Sequence, residues 1–473
     1  MKLLNRAVVI VLILWVGSSK GQEIQSWSLQ KCIDHAKSNN IQIKQSALSI
    51  QLAQENLRQS KANTLPSINA RMSHNYNFGR TVDPFTNSFV TERLQSNNFS
   101  INGNVMLFEG LKAINTIKRN KYNLEASRYD LAKTVNDVTL MVAGGYLQIL
   151  FNQEIAEIAA NQVKITAEQT ERTKKLVDAG NLAKGSLLDI EAQLALDELN
   201  LVEATNQLEL AYLSLQQLLY LEISKDFDIV KPIVDIPDNL EVLNTVNQVY
   251  ETALTVQPQI LGADIKVQEF DKNIAIARSG LFPSLSVGGS YGTGYSDGRK
   301  SITSSTPRVD VLGYTSGGDS VYFPSFDYTY ETTPFSDQIR DNLNQTLGFY
   351  LTIPIFNGFQ TKAAIARAKI AFENQQYNLQ LERLRLKEDI QKAYFDTGAS
   401  LKKYRASKIS VNALKESFNY SKQRLDAGME TVVEFNDSKN KLAKSESELV
   451  QAKYDFIYKT KILEFYQGRS LAF

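Results

Sequence analysis

Apolar and polar positions along the chain follow two rhythms. From Ser67 to Phe78, the residues Ile68, Ala70, Met72, Tyr76 and Phe78 alternate with Ser67, Asn69, Arg71, Ser73, Asn75 and Asn77. From Asn98 to Phe108, Phe99, Ile101, Val105 and Leu107 alternate with Asn98, Ser100, Asn102 and Asn104. Leu285, Val287, Gly289 and Tyr291 make a third such face, and Leu347, Phe349, Leu351, Ile353 and Ile355 a fourth. A period of two predicts strands, here about 67–78, 98–108, 284–292 and 344–356, each apolar on one side and small or polar on the other. The connections from Gly79 to Gln95 and from Gly292 to Asn342 read as long polar loops. Tyr314, Tyr322, Phe323, Phe326, Tyr328 and Tyr330 lie in the second; they suit either an interfacial aromatic girdle or packing within the loop.

The other rhythm is helical. Leu29–Asn63 and Val246–Arg278 have helical spacing, each closed by a proline, Pro66 and Pro283. No proline interrupts Leu111–Asp178 or Phe359–Asp426; Gly144-Gly145 and Gly398 are the weak points. At 1.5 Å per residue such a helix is roughly 100 Å long. A Gly turn follows each, then a helix with a strict heptad: Leu187, Leu194, Leu201, Leu208 and Leu215, matched by Phe435, Leu442, Leu449, Phe456 and Leu463. Ala204, Ala211, Ser438, Ser445 and Ala452 are small companions that let helices approach closely. The leucines hold helices together and carry no chemistry.

These elements occur twice. Phe108-Glu109-Gly110 recurs as Phe356-Asn357-Gly358, Tyr146 as Tyr394, Asp178-Ala179-Gly180 as Asp426-Ala427-Gly428 and Asp189 as Asp437, all 248 residues on. Leu65-Pro66-Ser67 matches Phe282-Pro283-Ser284 at an offset of 217, so the second copy carries 31 extra residues in its strand connection. Residues 22–230 and 231–473 are therefore read as two repeats, with helical hairpins at 111–220 and 359–468. Residues 1–21 precede them: Lys2 and Arg6, an apolar run from Ala7 to Val16, then small residues, the order of a cleaved secretory signal.

Composition narrows the function. The 473-residue chain carries 52 basic and 51 acidic residues, which gives no basic surface for nucleic acid. One Cys and two His leave no cysteine zinc site and no cluster for metal or acid–base chemistry, and no P-loop is present. We expect no enzyme, no cofactor and no bound metal. His35 and His74 read as ordinary helix and strand residues, and Cys32 as a buried one. Mean hydropathy is −0.26, as for a soluble protein. Two architectures fit the strands: a soluble periplasmic coiled-coil or adaptor-type protein with a small sheet, or a transmembrane β-barrel, whose strands run ~9–11 residues with a polar interior. Four strands cannot close a barrel, so the second demands several chains. Three would give twelve strands and room for a pore.

The residues resemble the TolC-like outer membrane efflux proteins, of the Bacteroidota type. The resemblance spans about residues 24–470 and rests on Trp27-Ser28-Leu29-Gln30-Lys31-Cys32-Ile33 with Asn39-Asn40, on Leu65-Pro66-Ser67-Ile68 and Leu281-Phe282-Pro283-Ser284-Leu285 at the strand entries, on Leu107-Phe108-Glu109-Gly110 and Ile353-Pro354-Ile355-Phe356-Asn357-Gly358 at the exits, and on Tyr76-Asn77-Phe78-Gly79-Arg80 with Asp83-Pro84. It implies a mainly α fold with a homotrimeric twelve-stranded outer-membrane β-barrel, continued by a periplasmic α-helical coiled-coil barrel. It implies an exit duct of a tripartite efflux or type I secretion system, docked to a periplasmic adaptor and an inner-membrane pump of the RND or ABC type. By the same resemblance, Glu434 and Asp437, with Asp189 contributing and Ser186 in the matching place, would ring the periplasmic aperture. Ala179, Gly180, Asn181 and Leu182, with Ala427, Gly428, Met429 and Glu430, would be the tips that meet the adaptor. The plain alternative for the carboxylates is a solvated helix N-terminus, where acids are favoured anyway.

Overall fold

The computed structural model describes residues 26–471, apart from 92, 224–226, 233–235 and 237–244. The expected signal at 1–21 lies outside the described residues. Two compact units combine segments of both sequence repeats. One comprises residues 26–53, Asn123–Val267 and 374–471; the other comprises Gln54–Tyr122 and Gln268–Glu373.

The helical unit begins with a short strand, β1 (Ser26–Trp27), then α1 (Leu29–Asn39) and the first part of α2 (Ile41–Ala62), which continues into the other unit from Gln54. The single helix expected over 29–63 is thus two. Asn40 is extended at ψ 128°, and its side chain accepts from the amides of Gln42 at 2.8 Å and Ile43 at 3.2 Å. It closes one helix and caps the next. The second copy breaks alike, into α5 (Val246–Val256) and α6 (Pro258–Ser279), with Pro258 at the first helical position where its missing N–H costs nothing. The long helices α3 (Lys112–Asp178) and α8 (Gln360–Asp426) have 67 residues each and are followed by α4 (Lys184–Leu218) and α9 (Val432–Tyr466). Gly144 and Gly145 do not weaken α3. A side chain at either would meet Tyr458 at 3.4 Å or Leu215 at 3.5 Å, so both serve close helix packing. Phe435, Leu442, Phe456 and Leu463 of the heptad are buried, as is Leu215. In α4, Leu187, Leu194, Leu201 and Leu208 are only half-buried, and Leu188, Leu196, Leu199, Val202 and Leu210 are exposed. Buried Cys32, Val142, Tyr146, Ile149 and Leu150 belong to the main core of this unit.

The other unit holds a four-stranded antiparallel sheet in the order β10-β7-β5-β2: β2 (Ser67–Asn77), β5 (Leu94–Glu109), β7 (Ser284–Ser296) and β10 (Asn344–Thr352). β5 and β7 run beyond the expected spans at their loop ends, and β10 stops short at Thr352, two residues before Pro354. A two-stranded ribbon, β3 (Thr81–Val82) and β4 (Phe89–Val90), joins β2 to β5. The connection from Gly292 to Asn342 is not a loop. It contains a second hairpin, β8 (Lys300–Tyr314) paired with β9 (Ser320–Thr332), and then α7 (Phe335–Asp341). The six aromatics therefore form no girdle on the four-stranded sheet; most line one face of this hairpin. Back in the helical unit, β6 (Asp228–Ile229) pairs in parallel with β1.

Candidate functional site

The register of the four-stranded sheet sorts its residues cleanly. One face carries rows such as Ala70–Ile101–Tyr291 and Val105–Val287–Phe349. The other carries Ser67–Asn104–Gly288–Gly348 and Asn69–Asn102–Ser290–Thr346, with Arg71 and Tyr350 as its long side chains. Ile68, Met72, Leu347, Phe349 and Leu351 on the apolar face are all exposed. An apolar sheet face open to its surroundings, backed by a face of mostly short polar groups, is the pattern of a strand wall between lipid and water. Strands β10 and β2 form the two edges, with free backbone groups that a bilayer cannot satisfy. No helix among the described residues is long and apolar enough to cross a membrane.

The helical turns are just as plainly placed. Gly180 and Gly428 adopt positive φ of 78° and 73°, in the left-handed region that ends a helix. Their neighbours Ala179, Asn181, Leu182, Ala427 and Met429 are exposed. Glu430 departs from this pattern. Its side chain is tucked in, accepts from the Ser421 hydroxyl at 2.8 Å and faces Arg424 at 3.6 Å. Beside the turns, Arg172 of α3 is ion-paired with Asp426 of α8.

Glu434 lies at the third position of α9 and closes a capping box with Thr431. Its Oε2 accepts from the Thr431 amide and hydroxyl, both at 2.9 Å. The bond from the Thr431 amide, seconded by the hydroxyl, holds the carboxyl below its usual pKa. Asp437 is exposed and pairs with Lys441 at 2.6 Å. Asp189 is exposed on α4. All three stand near helix starts, as expected of acids there.

Two polar sets, one buried and one partly buried, were not read from the sequence. Lys439 of α9 has no exposed side-chain surface and is ion-paired with Asp197 of α4, which is 4% exposed. The Thr166 hydroxyl of α3 lies 2.6 Å from the Asp197 carboxylate and 2.5 Å from the Lys439 ammonium. Gln193 also donates to Asp197, at 2.8 Å. Burial pushes the Lys439 pKa down against the pull of Asp197. A signal existed: Lys439 falls four residues after Phe435 and three before Leu442, and Asp197 three after Leu194 and four before Leu201. Each is a charged residue on an apolar stripe. The second set centres on Glu154, which accepts from Lys453 and Tyr454, both at 2.8 Å, and faces Lys231 at 3.1 Å. Burial would raise its pKa, but these donors outweigh it and hold the carboxyl below its usual value. Tyr146, a repeat marker in the sequence, donates its hydroxyl to the carbonyls of Trp27 and Val230, beside the β1–β6 pair.

No group of three or more His, Cys, Asp and Glu side chains able to hold a metal ion occurs among the described residues. What the chain offers is surfaces: a two-faced sheet, exposed turns and polar locks between helices.

Comparison with known proteins agrees with that inventory. The family model described as outer membrane efflux protein matches residues 32–219 and 249–465. The outer membrane efflux protein BepC of Brucella suis is 20% identical over 459 residues, covering 96% of this chain and 88% of its own. The outer membrane protein TolC of Vibrio cholerae is 23% identical over 433 residues, covering 91% and 88%. Among solved structures, the Campylobacter jejuni CmeC outer membrane channel superposes with a TM-score of 0.75 at 16% identity, covering 93% of this chain and 85% of that one. The fold is thus the duplicated strand–strand–long-helix unit of outer-membrane channels. The protein is a passive outer-membrane exit duct rather than an enzyme, and the chain belongs to the outer membrane efflux protein family.

Proposed function

We propose that three copies of the chain assemble head to tail, with β10 of each joined to β2 of the next, into one twelve-stranded barrel in the outer membrane. The single observation that carries this reading is the sheet itself: four strands, one apolar face, one polar face and two unpaired edges. Three such sheets satisfy every edge and enclose a polar bore. The exposed leucine stripe of α4 supports the same assembly, because a neighbouring copy would cover it. In the periplasm, a ring of such hairpins would wall a helical tube. Its turns at Ala179, Gly180, Asn181 and Leu182, and at Ala427, Gly428 and Met429, would meet an adaptor; Glu430 would brace its turn from inside. Glu434 and Asp437, with Asp189, would ring the aperture. An inner-membrane pump of the RND or ABC type would supply the energy, since a passive duct has no energy source of its own.

Native mass spectrometry of the protein extracted from outer membranes tests the assembly. Three copies are expected, and a single-copy mass would end this reading. Crosslinking from the turn residues to a co-expressed adaptor tests the docking. Crosslinks are expected at Met429 and Leu182 and none at Tyr377 of α8, which lies outside the turns.

A further inference from the structure

The β8–β9 hairpin has two unlike faces. On one, Tyr322, Phe326, Tyr328 and Tyr330 stand opposite Val311, Pro307, Ser305 and Ile302. On the other, Arg308 pairs with Asp310 at 2.7 Å and with Asp327 at 3.3 Å. The tyrosine face is uncovered: its four ring residues are 48–64% exposed. With Tyr314, that is on the order of 500 Å² of aromatic surface, before any aliphatic neighbour is added. A patch of that size matches the largest that monomers ordinarily show and approaches the ~800 Å² each partner gives to a standard interface.

The hairpin is not loosely tethered. Gln338 of α7 donates to the carbonyls of Ser296 and Thr333, both at 2.8 Å, and accepts from the Ser296 amide at 3.0 Å. Arg299 donates to Asn342 at 2.8 Å, and the Thr333 amide to the Arg299 carbonyl at 2.9 Å. The face is therefore presented in a set orientation at the loop end of β7 and β10.

The connection from β2 to β5, at the same end of the sheet, carries two more exposed aromatics, with the Arg80 guanidinium 4.8 Å from the centre of the Phe89 ring. Phe78 is 79% exposed and Phe89 70%. This connection is pinned too. Asp83 is buried and accepts from Thr86 at 3.0 Å and Ser296 at 2.9 Å. One chain thus bears exposed aromatics on two connections, one leading into edge β10 and one leaving edge β2. A ring that joins β10 to β2 brings unlike edges together at every joint, as a head-to-tail interface does.

We propose that the tyrosine face of the β8–β9 hairpin in one copy packs on Phe78 and Phe89 of the next, clasping the ring at its loop end. The proposal rests on the assembly proposed above and names a contact that the strand pairing does not require. Phe89→Cys and Tyr328→Cys, combined in the full chain and expressed in outer membranes, test it; the native Cys32 is buried. The double variant should give a reducible ladder of two and three chains on non-reducing gels, and neither single variant should. Tyr322→Ser, Tyr328→Ser and Tyr330→Ser together should lower the temperature at which the assembly falls to single chains in detergent. A three-copy native mass with no ladder and an unshifted temperature would overturn the clasp and leave the ring standing. A single-copy mass would overturn both.

Discussion

At the scale of single residues, the Lys439–Asp197 pair is the most consequential feature. It joins a helix of the second repeat to one of the first, and Thr166 and Gln193 complete its hydrogen bonds. Two charges withdrawn from water gain little net stability together, but either one alone is costly. Lys439→Ala should therefore lower stability by about 3–5 kcal/mol, while Lys439→Met with Asp197→Leu should recover most of it. Denaturant unfolding of the detergent-solubilised protein reads both, and equal losses in single and double variants would contradict the account. Neither residue was singled out from the sequence, although both lie on apolar stripes. The pair spans 242 positions, and nothing local to Lys439 names its counter-ion.

At the scale of elements, most of the fold was legible because period two and the heptad are both long and clean here. The β8–β9 hairpin escaped for a physical reason. Bulges between Ile302 and Ser304 and between Val311 and Gly313 shift the alternation of β8 by one, so no single face persists in the sequence. Pro307 and Pro324 also argue against a strand, yet a two-stranded ribbon has only edges and tolerates them. The junctions from strand to long helix carry a testable contrast. Gly110 and Leu111 have φ of 55° and 64°, and Gly358 and Phe359 both have 61°. The same left-handed kink thus serves both repeats. A Cβ on Gly110 would lie 2.6 Å from the Ser279 carbonyl, whereas one on Gly358 meets nothing within 4 Å. Gly358→Ala should cost only the backbone strain, about 1–2 kcal/mol. Gly110→Ala should cost clearly more, read as a lower yield of assembled protein and a lower unfolding midpoint. Equal effects would show that the crowding at Gly110 is immaterial.

At the scale of the whole molecule, the proposed aperture sets charge against a three-fold axis. Glu434 also caps α9, so an alanine there would confound gating with helix fraying. Glu434→Gln and Asp437→Asn remove the charges and keep acceptors in place. In planar bilayers this pair should weaken cation preference, because like charges around an opening concentrate cations. Unchanged ion selectivity would count against the ring. The depressed pKa of Glu434 adds a sign: on acidification, its share of the preference should persist below the usual carboxylate value before it fades.

The polar face of the sheet has a consequence of another kind. Its rows are mostly Asn, Ser, Gly and Thr, with Arg71 as the one cation among those named and Tyr350 lying against Gly288 and Gly348. A wall made mostly of short uncharged groups, Arg71 apart, gives a passing solute little to adhere to, so its dwell there should be short. Flow along such a wall rises in proportion to concentration and reaches no plateau. Dissimilar cargoes then slip past without competing, and any order of preference among them is imposed before they enter.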